Sequence, residues 1–149
     1  MKPLATAVLA FLLIAASLPA TAFERSSLTI VTADGTRHRF QIELALTMQE
    51  QAQGLMFRET LGESEGMLFI NASERTMLMW MKNTLVPLDM IFVAADGRIV
   101  SIARDAVPLS EATISSGGVV KGVLEVPGGT AERLGIAPGD RVLHPLLTP

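Results

Sequence analysis

The sequence predicts a mainly β protein, a compact antiparallel sandwich or barrel with one or two short helices. Short runs rich in β-formers recur along the chain, separated by tight turns. Asp-Gly pairs, strong hairpin signals, stand between two pairs of such runs at Asp34-Gly35 and Asp96-Gly97. Helical spacing is confined to two brief stretches.

Leu28 to Ala33 is the first strand candidate, and Thr36 to Ala45 the second. The second alternates cleanly, with Phe40, Ile42 and Leu44 on one face and Arg39, Gln41 and Glu43 on the other. Positive φ at both central residues of a type I′ turn would suit Asp34-Gly35. Thr47 and Glu50 have the spacing of a capping box, so a short helix is expected over Met48 to Met56. Phe57 to Glu65 reads as a loop, Gly66 to Ile70 as a strand, and Asn71 to Arg75 as a polar turn. Thr76 to Lys82 reads as a central strand, apolar on both faces. Leu88 to Ala95 and Arg98 to Ala103 form the second hairpin, followed by a long loop from Asp105 to Gly118. Val119 to Val126 is a strand, Thr130 caps one helical turn ending at Gly135, and Arg141 to Leu143 closes the series.

The first 22 residues have the form of a signal peptide. Lys2 is the positive start, Leu4 to Leu18 the apolar stretch, and Ala20-Thr21-Ala22 a small-x-small cleavage site. Cleavage before Phe23 and export, most simply to a bacterial periplasm, are expected. Removing 22 of 149 residues leaves one domain of 127, residues 23–149, without a stable membrane insertion. Its 11 basic and 15 acidic residues are scattered, which argues against a nucleic-acid partner. Without cysteine there is no disulfide, thiolate nucleophile or lipid-anchoring Cys.

Several motifs in order resemble one family. They are Gly54-Leu55-Met56-Phe57-Arg58, Gly66-Met67-Leu68-Phe69, Trp80-Met81-Lys82-Asn83-Thr84 with Pro87-Leu88-Asp89, Val123-Leu124-Glu125, and Gly135-Ile136 with Gly139-Asp140. Together they resemble domain of unknown function 192, over about Leu28 to Val142. Met79 stands where that family usually has an aromatic residue. The resemblance implies a small, mostly β, jelly-roll-like or barrel-like domain, often exported, and no established activity or cofactor.

The polar residues embedded in this apolar sequence are the candidate site: Lys82, Asn83 and Asp89, with Arg58 and Glu125 in support. Lys82 and Asp89 flank one turn, and buried ions require partners. The cluster is therefore either a structural network or a cleft for a small polar or anionic ligand, with Lys82 and Arg58 as donors. An envelope protein is the other partner considered, since Ala131 to Val142 also resembles the end of a peptide-binding PDZ domain. Asp89 and Glu125 offer a rival enzymatic reading as an acid/base pair on an envelope substrate. Ser115-Ser116-Gly117-Gly118 is either an anion-binding nest or a loop. Met77, Met79 and Met81 would share a strand face, as core or as a Cu(I) site. His38 and His144 read as solvated, and no nucleophile-elbow, H-E-x-x-H or P-loop motif is present.

Overall fold

The computed structural model describes residues 22–147. The leader, apart from Ala22, lies outside the described residues. The strands are β1 (Glu24–Val31), β2 (Arg37–Ala45), β3 (Glu65–Met79), β4 (Leu88–Val93), β5 (Ile99–Ala106), β6 (Ile114–Pro127) and β7 (Arg141–Leu143). Two short helices intervene, α1 (Met48–Gln53) and α2 (Thr130–Leu134). All seven strands form one sheet in the order β5-β4-β6-β3-β2-β1-β7. Pairing is antiparallel except between β2 and β3, which α1 and its following loop connect in parallel.

The sheet curls until its two edge strands meet. Arg98 bridges Arg141, Ile99 N–H donates to Asp140 O at 2.8 Å, and Val142 N–H donates to Gly97 O at 2.7 Å. The mainly β, barrel-like expectation holds, as one curled sheet. The closing contact also covers the edge at β7, where PDZ-like peptide addition would have required free N–H and C=O groups.

Strand alternation gives the central strands β4, β6 and β3 two apolar faces. Ile91, Leu124 and Leu68 lie in one cross-strand row and enter the barrel core with Ile30, Phe40, Ile42 and Val142. Phe92, Val123 and Phe69 form the next row and face outward into a second core with Leu55, Met77, Met81 and Val120. Near-continuous apolar sequence in these strands follows from burial on both faces.

Both Asp-Gly turns form, by a different geometry from the type I′ expected. Gly35 and Gly97 have φ of 84° and 83°, but neither Asp34 nor Asp96 has positive φ. Gly35 N–H donates to Thr32 O and Gly97 N–H to Ala94 O, at 2.8 and 3.0 Å. Each is therefore a three-residue hairpin loop with glycine in the left-handed bulge position. The Asp carboxylates accept from Thr36 N–H and Arg98 N–H, which stabilises the turn locally.

The capping box is formed. Thr47 Oγ1 accepts from Glu50 N–H at 3.2 Å, and Glu50 Oε2 accepts from Thr47 N–H at 2.8 Å. Those backbone donors hold the Glu50 carboxyl below its ordinary pKa. The helix ends at Gln53, short of Met56, because Gly54 departs from helical geometry with φ 48°. Residue Thr130 begins α2, but Gly129 is its N-cap and no capping side-chain bond comes from that residue.

Two expectations of loop are corrected. Asn71 to Arg75 is a bulge inside one long strand, since pairing resumes from Ile70↔Gly122 to Arg75↔Val120. Half of Asp105 to Gly118 is strand, leaving 107–113 as the connection. Ser116 explains part of that continuity: its hydroxyl accepts from Met77 N–H at 3.0 Å and donates to Gly118 O at 2.6 Å. Those bonds make the Ser-Gly stretch a strand irregularity rather than an anion nest.

Gly35 and Gly97 form a matched pair of turn glycines. A Cβ at Gly35 would meet nothing within 4 Å, whereas one at Gly97 would stand 2.3 Å from Val142 O. Gly35→Ala should lose only the left-handed backbone preference, about 1–2 kcal/mol. Gly97→Ala should lose clearly more in urea unfolding, because it also pushes the closing strands apart. Equal losses would show that the edge contact contributes nothing.

Candidate functional site

Helix α1 and the outer face of β3 enclose a cleft of about 370 Å³. Gln51 holds the helix in place by donating to Ala45 O at 3.2 Å and Ile70 O at 2.9 Å. The walls are Leu55, Met56, Phe69, Met77, Met79 and Trp80, with Arg75, Lys82 and Thr84 among the polar lining groups. A cleft that is mostly apolar with a few polar groups is the usual form of a small-molecule site.

Glu125 lines this cleft from β6. It is 4 % exposed and stands in a cross-strand row between Met67 and Met90, both 0 % exposed. Its carboxyl has neither a hydrogen-bond partner nor an ion-pair partner among the described residues. Burial raises its pKa from 4.5 to about 8, so at neutral pH it is mostly the uncharged acid.

Lys82 also lines the cleft. Its side chain is 43 % exposed, its ammonium lies 5.1 Å from the Trp80 ring centroid, and Glu111 is its ion-pair partner at 3.4 Å. Asn83 sits in the turn below with φ 53°, a conformation asparagine tolerates better than most residues. Its carbonyl accepts from Phe57 N–H at 2.8 Å, and its amide contacts Met56 Sδ at 3.8 Å. Asn83 thereby joins the β3–β4 turn to the segment after α1.

Asp89 is elsewhere, and the expected pairing with Lys82 is not formed. Paired with Val126, Asp89 points to the face opposite Met90 and its neighbour Glu125. The carboxylate is 0 % exposed and accepts from Asp105 N–H at 2.9 Å, Gly129 N–H at 3.2 Å and Ala131 N–H at 2.7 Å. Asp89 therefore holds the start of α2 and a β5 bulge, in which Asp105 has φ 46°. Backbone donors supply the compensation that a lysine was expected to supply.

Arg58 is also separate. It pairs with Glu43 and lies 5.9 Å from the Phe23 ring centroid, in a different depression. Of the five expected residues, only Lys82 and Glu125 line the α1–β3 cleft. The proposed Asp89–Glu125 acid/base pair has the sheet between its members, which removes the geometry that mechanism needs.

The methionines are core. Met77 and Met81 are buried in the outer core and Met79, partly buried, packs against it, although Met81 lies beyond the end of β3. Among the described residues, no group of three or more His, Cys, Asp or Glu could hold a metal ion.

His144 is buried rather than solvated. Leu146 N–H donates to Nδ1 at 3.2 Å, so Nε2 carries the proton toward Ser26 Oγ at 3.0 Å. Burial lowers the His144 pKa, against a smaller opposing effect of Glu24. A neutral ring of this tautomer cannot serve as a base toward Ser26.

Sequence reasoning missed α1 as a cleft wall, together with Arg75 and Asn71. The available signal was parity: Met67, Phe69 and Asn71 alternate on one face only if β3 continues through the polar stretch.

The family model for DUF192, described as Uncharacterized ACR, matches residues 29–144. The chain belongs to this family. Two crystal structures are closely similar to the DUF192 protein described here. One, from Sinorhizobium meliloti 1021 and described as a candidate transcription regulator, has a TM-score of 0.82 and 44% identity, covering 83% of this chain and 96% of its own. The other, of unknown function from Novosphingobium aromaticivorans DSM 12444, has a TM-score of 0.80 and 45% identity, covering 87% and 91%. No curated protein matches. No helix among the described residues is long and apolar enough to cross a membrane.

Asp89→Ala would leave one buried N–H group, that of Ala131, and two part-buried ones unanswered. It should destabilise the domain by about 1–3 kcal/mol, the cost of the one buried donor left unsatisfied. Chemical unfolding measures this directly. A loss below about 1 kcal/mol would show that water or a neighbour replaces the carboxylate.

Proposed function

We propose that this DUF192 protein is a non-enzymatic binding module, acting after export to the bacterial periplasm, that takes a small polar or anionic ligand into the α1–β3 cleft. The observation carrying this reading is Glu125: a buried carboxyl, without a partner among the described residues, lining a largely apolar cleft. Most buried polar groups are hydrogen-bonded, and an exception calls for a reason. A ligand able to hydrogen-bond the uncharged acid supplies one. Lys82 and Arg75 add positive charge to the lining, favouring ligands with an anionic group.

The neighbour described as a candidate transcription regulator supplies a rival reading. With 12 Lys and Arg against 15 Asp and Glu, the chain lacks the basic excess by which proteins hold a phosphate backbone.

The full chain can be titrated with a panel of short-chain alcohols, amides and carboxylates, following backbone amide shifts. At least one should move resonances of Phe69, Met77 and Trp80, and Lys82→Met should weaken the anionic members while leaving the fold intact. If no panel member perturbs the cleft, the reading is wrong.

Glu125 should also leave a signature in stability. Its folded pKa of about 8 lies above the ordinary 4.5, so between these values the folded state holds a proton that the unfolded state releases. Stability should fall as pH rises through that window, by up to about 1.4 kcal/mol per unit, and level off above it. Glu125→Gln should remove this contribution. Parallel stability–pH curves for parent and variant would refute an unpartnered buried acid.

A further inference from the structure

The cleft continues past Met48, Gln51 and Arg75 into an adjoining depression of about 280 Å³, also lined by Ile70 and Asn71. Asn71 is 6 % exposed, and its Nδ2 is buried without a hydrogen-bond partner among the described residues. Its Oδ1 accepts from Arg75 Nη2 at 3.0 Å, which sets the amide orientation and leaves Nδ2 as the unused donor. Arg75 lines both depressions and retains further guanidinium N–H groups.

The surrounding backbone is strapped. Four β3 residues, Asn71 to Glu74, bow out opposite the single β6 residue Lys121. Lys121 Nζ donates to Ala72 O at 2.8 Å, and Glu74 Oε1 accepts from Ala95 N–H at 2.9 Å. The bulge thus holds Asn71 and Arg75 in place without using the free amide. Bulges often redirect side chains beside functional sites.

Resting on the binding-module reading, we infer that the bulge is a carboxylate subsite and that the ligand is an elongated amphiphilic acid. Its carboxylate sits on Arg75 and Asn71 Nδ2. Its apolar body lies along the Met and aromatic wall, and a neutral hydroxyl or carbonyl group at the other end meets Glu125. Arg75 and an amide donor suit a planar carboxylate. Glu125 pairs across the strands with Met67, four residues before Asn71, so the two unpartnered groups are separated by about 13 Å along β3. Lys82 already has Glu111 and the Trp80 ring as partners, which leaves Arg75 the better anion site.

The full chain should be titrated with ω-hydroxydecanoate, decanoate and decanediol, with calorimetry for affinity and amide shifts for location. The hydroxy acid should bind tightest, at least tenfold tighter than the diol. Arg75→Gln should weaken both acids at least tenfold and leave the diol unchanged. Asn71→Asp, which retains the acceptor for Arg75, should do the same by replacing the donor with a negative charge. Glu125→Leu should abolish the preference for the hydroxy acid over decanoate. Equal binding of diol and acids, or acid binding indifferent to Arg75→Gln, overturns the carboxylate subsite while leaving the cleft reading in place. Failure of all three probes overturns the elongated-acid class; only the short-chain panel failing as well removes the binding module itself.

Discussion

The period of two along β3, β4 and β6 is the constraint on which the arrangement depends. Along β4 and the facing stretches 66–70 of β3 and 122–126 of β6, a residue must enter one of two buried environments, because both faces are covered there. Asp89 and Glu125 are both carboxyls in this triplet, yet they belong to opposite parities. Asp89 meets three backbone donors at the bend where β5 bulges and α2 begins. Glu125 meets Met67 and Met90 as its cross-strand neighbours. One carboxyl is therefore a structural fastening, and the other is an acid held at the edge of a cleft.

The cleft arises where regular pairing breaks down. The β3 bulge, the short helix α1 and the turn at Asn83 each depart from the ladder, and together they frame the outer face of β3. They are nonetheless held firmly, by the Thr47–Glu50 cap, the Gln51 amide, Lys121 and the Phe57–Asn83 backbone bond. Glu125 and Asn71 are both buried polar groups with unused bonding capacity at this surface. In a domain whose net stability is only about 5–15 kcal/mol, such groups carry a real cost. A framework that is rigid around two unanswered polar groups has the form expected of a pre-organised binding site.

Much of the local structure was legible because it is encoded by near neighbours. Thr47 and Glu50 meet within one helical turn, and Asp34-Gly35 and Asp96-Gly97 turn the chain by their own bonds. The type of hairpin was misread because Asp-Gly serves both the I′ turn and the glycine-bulge loop. Asn71 to Arg75 was misread for a different reason. Polar residues there resemble a turn, but Lys121 and Glu74, distant from their partners, keep them within a continuous strand.

Sequence alone determined the mainly β class, the places of the two Asp-Gly hairpins and the Thr47 helix cap, since each rests on alternation or on contacts a few residues apart. It also singled out Lys82 and Glu125 as polar residues in apolar surroundings. Only the tertiary structure decided that these two line one cleft while Asp89 and Arg58 lie elsewhere. The physical reason is register. Which face a strand residue occupies depends on pairings such as Met90↔Glu125 and Asp89↔Val126, and a shift of one residue would have exchanged the two carboxyls' environments.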